Sequence, residues 1–415
     1  MKKLTSLEKS WILYDVANSA FVLMVSTIMP IYFEYLCGLG GISSEDYLAY
    51  WGYAASAATL IVALIGPVLG TMADRKDSKK KLFMTTLLVG VIGCAVLGFM
   101  TSWILFIVVY IITKVGYSAC NIFYDAMLTD VTTPERMDNV SSQGYAWGYI
   151  GSCIPFAVGL VLVLNATGFG ISMATAMAIA LMITAVWWFG LTMPLLKKYK
   201  QTNYIEPTEH AVADSFRQII ETVKDLVKSE NKGLLWFFIA YFFYIDGVYT
   251  IIEMATAYGK ALGLDSTGLL LALLVTQLVA FPCSIIFGRL AKKYKNSLLI
   301  SICIVAYTGI TIFAFFMTMQ WQFWLLAVCV GMFQGGVQAL SRSYFAKIIP
   351  PEKSGNYFGL LDICGKGASF LGTLAVGAMT QLTGSSNKGI SVLILFFAIG
   401  FVLFRKSVKE STVNI

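Results

Sequence analysis

Charged residues are scarce along this sequence of 415 residues. They make up 13% of the chain, whereas soluble domains carry about 25%. Hydrophobic residues make up 58%, the mean hydropathy is +0.74, and the apolar character extends over the whole length. Such a chain places most of its residues in lipid, which excludes an ordinary soluble enzyme.

Metal-binding and nucleotide-binding patterns are also missing. His210 is the single histidine, and the eight cysteines stand apart without a CxxC pair, so neither a zinc site nor a disulfide framework is supported. The nearest match to a phosphate-binding loop, Gly359 to Lys366, lacks the following Ser or Thr and lies inside an apolar segment, which excludes an ATP-driven pump. We expect no metal, no cofactor and no catalytic residues.

Apolar segments of spanning length recur along the chain. A helix of about 20 apolar residues crosses a bilayer, and segments of this kind are bounded here by charges, Gly, Pro or turn residues. The twelve segments are 11–36, 48–73, 82–100, 103–128, 141–165, 171–194, 233–262, 266–290, 297–318, 321–347, 355–381 and 388–405. The sequence therefore predicts an all-α integral membrane protein with twelve transmembrane helices.

Positive charge falls mainly on one side of these segments. Of the 30 Lys and Arg residues, only Lys388 falls in a loop on the opposite side, and four lie within the segments. The positive-inside rule then predicts that both termini are cytoplasmic. Because the charges are dispersed through short loops without interleaved aromatics, we expect no nucleic-acid partner. The expected partners are the lipid bilayer and a small-molecule substrate, and we expect a monomer.

One long polar connection divides the chain into residues 1–194, a linker 195–232 and residues 233–415. Apolar residues within the linker repeat at helical spacing opposite Arg217, Lys224, Asp225 and Lys228, which predicts an amphipathic helix on the inner membrane face. The apolar residues are Val212, Phe216, Ile219, Ile220, Val223, Leu226 and Val227.

The two halves carry matching landmarks. Gly70 and the following residues after the second segment correspond to Gly288 and its successors after the eighth. Pro134 before the fifth segment corresponds to Pro351 before the eleventh at nearly the same offset, and Asn139 matches Asn356. Internal repetition of this kind is typical of transporters, so we expect two six-helix bundles related by a pseudo-twofold axis.

The loop between the second and third segments resembles the signature of the major facilitator superfamily. It reads G-x-x-A-D-R-x-x-x-K-K and contains Gly70, Asp74 and Arg75. The resemblance implies that the Asp-Arg element holds the cytoplasmic side closed by pairing with the start of the eleventh helix, near Gly355. A carboxylate is favoured at a helix N-terminus. Lys292 replaces the acid in the second half, so we expect an asymmetric gate.

A narrower resemblance lies in the first, tenth and eleventh segments. The residues that carry it run from Trp11 to Phe21, from Gln338 to Ser343 and from Gly359 to Lys366. They are similar to a branch that includes fungal vacuolar amino-acid effluxers linked to autophagy and their bacterial relatives. The resemblance implies export of small solutes, and the short loops favour a bacterial protein of the plasma membrane.

Charged residues inside the segments are informative because each costs about 2.5–3.5 kcal/mol on insertion. They are confined to the first, fourth, seventh, tenth and eleventh segments, and in the superfamily the first, fourth, seventh and tenth helices line the central cavity. Neighbouring polar residues follow helical spacing, so each helix presents one polar face. These faces contain Asp15, Asn18, Ser19 and Ser26; Lys114, Ser118, Asn121 and Asp125; Asp246, Thr250, Glu253 and Lys260; and Gln334, Gln338, Ser341 and Arg342.

Depth along the segments separates the roles. Lys114 and Asp246 lie near the midplane, where opposite charges across a cavity suit a zwitterion, and a structural ion pair between the bundles is the alternative. The predicted substrate residues are Lys114, Asn121, Asp246, Gln334 and Gln338.

Proton coupling requires a group that changes charge, and the candidates are the carboxylates Asp15 and Glu253. Asp15 is equally suited to a gate contact with Arg342 or with the helix of Asp362. Asp362 and Lys366 are four residues apart, which favours a local ion pair. The predicted gate residues are Gly70, Asp74, Arg75, Asp125, Arg342, Asp362 and Lys366.

These features predict a secondary active transporter. It would export an amino acid or related zwitterion by alternating access, coupled to protons. An exporter or flippase of amphipathic, lipid-like or drug-like compounds is the alternative within transport. A membrane-embedded enzyme using Asp15, Asp125 and Lys114 is the alternative outside it, although no HExxH or GxSxG motif is present.

Overall fold

The computed structural model describes residues 3–42, 44–206, 211–228 and 232–411. Within these ranges the side chains of residues 44–49, 211–213, 256–257, 261, 266–267, 270 and 366–370 lie outside the description. His210 also lies outside it. The described chain consists of helices joined by short connections. Its helices are α1 Ser6–Leu23, α2 Met29–Leu39, α3 Ser44–Ala73, α4 Lys79–Leu97, α5 Trp103–Ala126, α6 Leu128–Val131, α7 Pro134–Leu164, α8 Met173–Lys198, α9 Ala211–Lys228, α10 Gly233–Ala261, α11 Ser266–Leu290, α12 Asn296–Phe315, α13 Gln320–Ile348, α14 Ser354–Thr383 and α15 Ser386–Glu410.

All of the predicted transmembrane segments are helices. Eleven helical stretches of the described residues are long and apolar enough to cross a membrane, and the first of them, Ser6–Leu39, joins α1 to α2. The remaining predicted segment, 355–381, lies within the 30 residues of α14.

The first segment contains a π-helical turn, Met24–Ile28, between α1 and α2. Pro30 follows this turn and has no backbone N–H, so it cannot make the hydrogen bond that an α-helix would place there. The wider turn accommodates the proline between α1 and α2. Ser26, predicted to share a face with Asp15, lies in this turn and donates to the carbonyl of Val22 at 3.0 Å.

The helices pack as two groups. In the first half α1 packs against α7 and α8, and α4 packs against α5 and α8; in the second half α10 packs against α14 and α15, and α12 against α13 and α15. Contacts between the halves join α3 to α14 and α7 to both α11 and α13. The domain boundaries at residues 194 and 232 stay a prediction, and α9 lies within the predicted linker.

The start of α1 and the end of α15 lie at the same end of the bundle, because the twelve transmembrane segments alternate in direction. We call this end, which carries the starts of α1, α7 and α14, the terminal end, and the opposite end the distal end. α7 begins at Pro134, before the predicted segment at 141, because proline is well suited to the first position of a helix. The added turns carry Asp138 at the terminal end.

The linker helix α9 has the predicted amphipathic character. It packs against α3 and α10 and buries Ser215 and Thr222. The Thr222 hydroxyl accepts a hydrogen bond at 2.9 Å from the amide of Asn356 at the start of α14. A separate apolar stripe of α9 is exposed, and it consists of Phe216, Ile220, Val223 and Val227.

Candidate functional site

Arg342 of α13 lies buried between the two halves. Its guanidinium is 3.2 Å from the carboxylate of Asp15 on α1 and 3.0 Å from that of Asp125 on α5. It also donates to the hydroxyl of Ser141 on α7 at 2.9 Å and to the Ser141 carbonyl at 3.1 Å. One side chain of the second half therefore contacts three helices of the first.

Three aromatic rings of the first half surround the same guanidinium. Its central carbon lies 4.4 Å from the ring centre of Tyr145, 4.6 Å from that of Trp11 and 5.5 Å from that of Tyr124. Arginine stacks favourably on aromatic faces when desolvated. We call Trp11, Asp15, Tyr124, Asp125, Ser141 and Tyr145 the Arg342 cage.

Asp74 forms a second contact between the halves. Asp74 directly follows the last residue of α3. Its carboxylate accepts hydrogen bonds from the backbone amides of Gly355 at 2.6 Å and Asn356 at 2.8 Å, at the start of α14. Free amides and the helix dipole favour an anion there. Burial nevertheless raises the pKa of Asp74 to about 7, against the opposing effects of Lys79 and the two amides.

Glycine permits this approach of α3 to α14. A Cβ on Gly70 would overlap the carbonyl oxygen of Gly355, and a Cβ on Gly355 would overlap that of Gly70. Arg75, next to Asp74, is buried and pairs through its backbone with Ile205 of the linker. The predicted gate residues Gly70, Asp74 and Arg75 thus lie together at the start of α14.

Asp138 makes a third contact between the halves that sequence reasoning missed. Its carboxylate, on α7, accepts from the amide of Asn296 at 2.7 Å, from the Ser343 hydroxyl at 2.6 Å and from the Lys347 ammonium at 2.5 Å. The signal was present in the repeat. The offset that aligns Asn139 with Asn356 also aligns Asp138 with Gly355. In the Asp74 contact the acid precedes the third segment and the glycine lies at the start of α14. In the repeated contact the acid, Asp138, lies on α7, the helix that corresponds to α14.

The predicted substrate residues are not gathered at one point. Lys114 is half-buried, and its ammonium lies 5.4 Å from the ring centre of Tyr117. The amide oxygen of Asn121 accepts from the side chain of Asn18 at 3.1 Å and from the hydroxyl of Tyr14 at 3.2 Å. On α13, Gln334 is buried and Gln338 is half-buried.

Asp246 faces the interior of the second half. It is 0% exposed, and its Oδ1 accepts from the Thr250 hydroxyl and from the backbone amide of Gly372 on α14, both at 3.1 Å. Among the described residues no ion pair joins it to Lys114, so the expected pairing of opposite charges across a cavity is not made in this arrangement. Helical spacing correctly placed Asp246 and Thr250 on one face but did not reveal which helix that face meets.

The other predicted charges are distributed as follows. Glu253 is exposed on α10, and Asp362 is half-buried on α14, where its carboxylate lies 3.9 Å from the Cβ position of Gly66 on α3. The side chain of Lys366, and with it the expected pair with Asp362, lies outside the described residues.

Known proteins resemble this chain over its full length. The family described as "Vacuole effluxer Atg22 like" matches residues 36–132 and 129–412. The chain belongs to this Atg22-like family. Its relatives include YxiO of Bacillus subtilis, described as an uncharacterized MFS-type transporter, which is 41% identical over 100% of this chain and 98% of that protein. Autophagy-related protein 22 of Saccharomyces cerevisiae is 24% identical over 60% of this chain and 54% of its own length.

Solved structures show that this Atg22-like chain has the major facilitator fold. The human organic anion transporter MFSD10 aligns with a TM-score of 0.71 at 13% identity, covering 96% of this chain and 98% of that one. FucP in its outward conformation aligns with a TM-score of 0.71 at 14% identity, covering 97% of each chain. The predicted fold of twelve transmembrane helices in two bundles is confirmed, and the protein is a multi-pass membrane transporter of this superfamily.

The three contacts described above lie toward the terminal end, where the buried Lys79 ammonium also donates to the Ser354 hydroxyl at 2.9 Å. Arg342 in its cage, Asp74 at the start of α14 and Asp138 with Lys347 each join a charged group of one half to the other half. Together they hold the terminal ends of the halves against one another.

Proposed function

We propose that the protein is a secondary active transporter that exports a small solute by alternating access, with the terminal end toward the cytoplasm. The Arg342 cage carries this proposal, because a buried charge of one half held by two carboxylates of the other forms a contact that can close and open as a unit. The concentration of Lys and Arg in the loops of the terminal end supports its cytoplasmic position. The structure then corresponds to an arrangement closed toward the cytoplasm.

The substrate we propose is an amino acid or a related zwitterion. We assign Lys114 to the substrate carboxylate because it is a half-buried cation in the interior of α5, and Asn121 and Gln338 add hydrogen-bonding groups. Asp125 keeps 31% of its side chain exposed beside Arg342, which makes it the acid available to a substrate ammonium group. The deep burial of Asp246 removes it from direct contact with a substrate in this arrangement. The description of the family as effluxers supports export.

The coupling ion we propose is a proton. The single histidine lies in the linker, so carboxylates within the membrane are the groups able to carry the proton. FucP, similar in fold, is named a fucose:proton symporter. In this scheme a proton enters the cell in exchange for the exported solute. The protein acts, in this proposal, as a monomer in a bacterial plasma membrane.

Transport in proteoliposomes tests this function. A panel of radiolabelled amino acids is followed for uptake and efflux with and without an imposed pH gradient. We expect gradient-stimulated movement of one class of amino acid. Movement of no amino acid under either condition would contradict the proposal and favour an exporter of amphipathic or lipid-like compounds.

A further inference from the structure

Asp246 is a carboxyl group enclosed near the middle of α10. Thr250 and the Gly372 amide both donate to one of its oxygens, Oδ1. The other oxygen, Oδ2, is buried without a hydrogen-bond partner among the described residues. A Cβ on Gly372 would overlap both the Thr250 hydroxyl and Asp246 Oδ1, so α14 lies directly against the carboxyl and leaves no room for water between them.

The charged groups on α10 and α14 do not supply a described counter-ion. Glu253 follows Asp246 two turns later on α10, and its charge has the same sign. Tyr244 of α10 is engaged with Ser341, its hydroxyl lying 2.7 Å from the serine oxygen. The interior of α14 contains Asp362 and Lys366, and because the side chain of Lys366 lies outside the described residues, it is tested directly below.

The other transmembrane helices packed on α10 supply no described counter-ion, and α9, which also packs on α10, lies in the linker outside the apolar segments. The sequence of α15 has no charged residue between Lys388 and Arg405, and that of α11 has none before Arg289. The interior charge of α13 is Arg342, which is held in its cage.

A carboxylate in this environment is strongly disfavoured in its ionised form. An unpaired charge within a membrane protein is expensive, and such a group takes up a proton instead. We propose that Asp246 binds the coupling proton in this arrangement and releases it when the halves rearrange. This assignment rests on the proposed function and gives its proton coupling a specific residue.

The position of Asp246 against α14 links the proton to the gate. Ionisation requires water at the carboxyl, and water enters only if α10 and α14 separate at Gly372. From Gly372 the helix runs back to Gly355, about 25 Å away at 1.5 Å per residue, where Asp74 binds its first amides. Release of the proton from Asp246 is therefore coupled to release of the start of α14 from Asp74.

The two carboxylates expected from the sequence are less suited to this role. Asp15 is compensated by Arg342 at 3.2 Å, so its charge is stabilised while the terminal end is closed. Glu253 is exposed, which allows hydration of its ionised form. Asp246 alone among the three is both fully buried and without a described cation.

Infrared spectroscopy of the purified protein tests proton binding without any transport assay. We expect the carbonyl stretching band of a protonated carboxyl group, titrating with pH, to be lost in Asp246→Asn and kept in Glu253→Gln. In Asp246→Glu the band should persist at a shifted frequency. An unchanged band in Asp246→Asn would overturn the assignment.

Flux measurements then test coupling. In proteoliposomes Asp246→Asn should retain solute exchange at equal pH but lose acceleration by a pH gradient, whereas Glu253→Gln should keep both. Gradient-driven transport retained by Asp246→Asn would overturn the proposal, as would its restoration in Asp246→Asn combined with Lys366→Met, which would identify a simple ion pair. If the wild-type chain moves no amino acid, the proposed function fails while the infrared result still decides whether Asp246 is protonated.

Discussion

The guanidinium of Arg342 lies 3.2 Å from the carboxylate of Asp15 across the interface between the two halves. Arg342 is 5% exposed and Asp15 7%, and Asp125 adds a second carboxylate at 3.0 Å. A side chain this enclosed cannot leave its cage unless the halves separate at the terminal end.

Replacing Arg342 by alanine should both destabilise the protein and open the terminal end. Loss of one partner from a buried ion pair costs about 3–5 kcal/mol, here because the buried Asp15 and the partly exposed Asp125 both lose their cation. Thermal unfolding in detergent measures the loss. The matched control is Arg217→Ala on α9, whose side chain is 81% exposed and pairs with Glu221; exposed pairs of this kind contribute about 0.3–0.5 kcal/mol. Equal effects of the two changes would contradict this account.

The contact of Asp74 with α14 should weaken as the pH rises. Its pKa is about 7 in the closed arrangement against an ordinary value of 3.8, so the closed state binds the proton more readily than a solvated carboxyl does. Linkage then makes the closed state lose stability as the pH rises from about 4 to about 7. Spin labels at Lys76 and Lys293, exposed in the two halves at the terminal end, report the opening as a longer distance.

Asp74→Asn provides the control for this pH dependence. The variant cannot ionise, so the part of the distance change that belongs to residue 74 should disappear. An identical pH dependence in the variant would assign the titration to another group.

Gly70→Ala should force α3 away from α14. The added methyl group would overlap the Gly355 carbonyl oxygen, and backbone cannot move aside as a flexible side chain can. We expect a longer Lys76–Lys293 distance and reduced flux. Gly52 on the same helix has no neighbour within 4 Å of its Cβ position, so Gly52→Ala should leave both unchanged. Normal flux and distance in Gly70→Ala would show that the close approach is not needed.

Asp138 and Lys347 should show energetic coupling between the halves. Contacting residues in one network typically couple by about 0.5–3 kcal/mol in double-mutant cycles. Thermal unfolding of Asp138→Ala, Lys347→Ala and the double variant measures this coupling free energy. Asp138→Ala combined with Arg217→Ala should be additive, and additivity of the Asp138 and Lys347 changes would contradict a stabilising contact.

Many of the correct predictions came from hydrophobic periodicity and from the internal repeat. The twelve segments and the amphipathic α9 follow from apolar spacing, and the placement of Asp74 near Gly355 follows from the superfamily resemblance. Helical spacing also grouped Asp246 with Thr250. These inferences succeed because they depend on the chain within one helix or on a repeated landmark.

The relations that were missed depend on which helices meet. Spacing does not show that the face of Asp246 packs on Gly372, because the absence of a side chain at that glycine is what permits the contact. Asp138 was missed because, in the repeat of the Asp74 contact, the acid lies on α7 rather than in the loop after α11. The repeat contained that exchange, but recognising the contact requires knowing that α7 packs against α13.

The central claim is that the terminal and distal ends open in turn, and paired distances test it most directly. One label pair occupies Lys76 and Lys293 at the terminal end, and the other occupies Thr167 and Thr318, exposed at the distal end in the two halves. We expect two states in lipid, in which a longer terminal distance accompanies a shorter distal one, and Arg342→Ala should favour that state. Distances that lengthen together, or a terminal distance that never changes during transport, would contradict alternating access through the Arg342 cage.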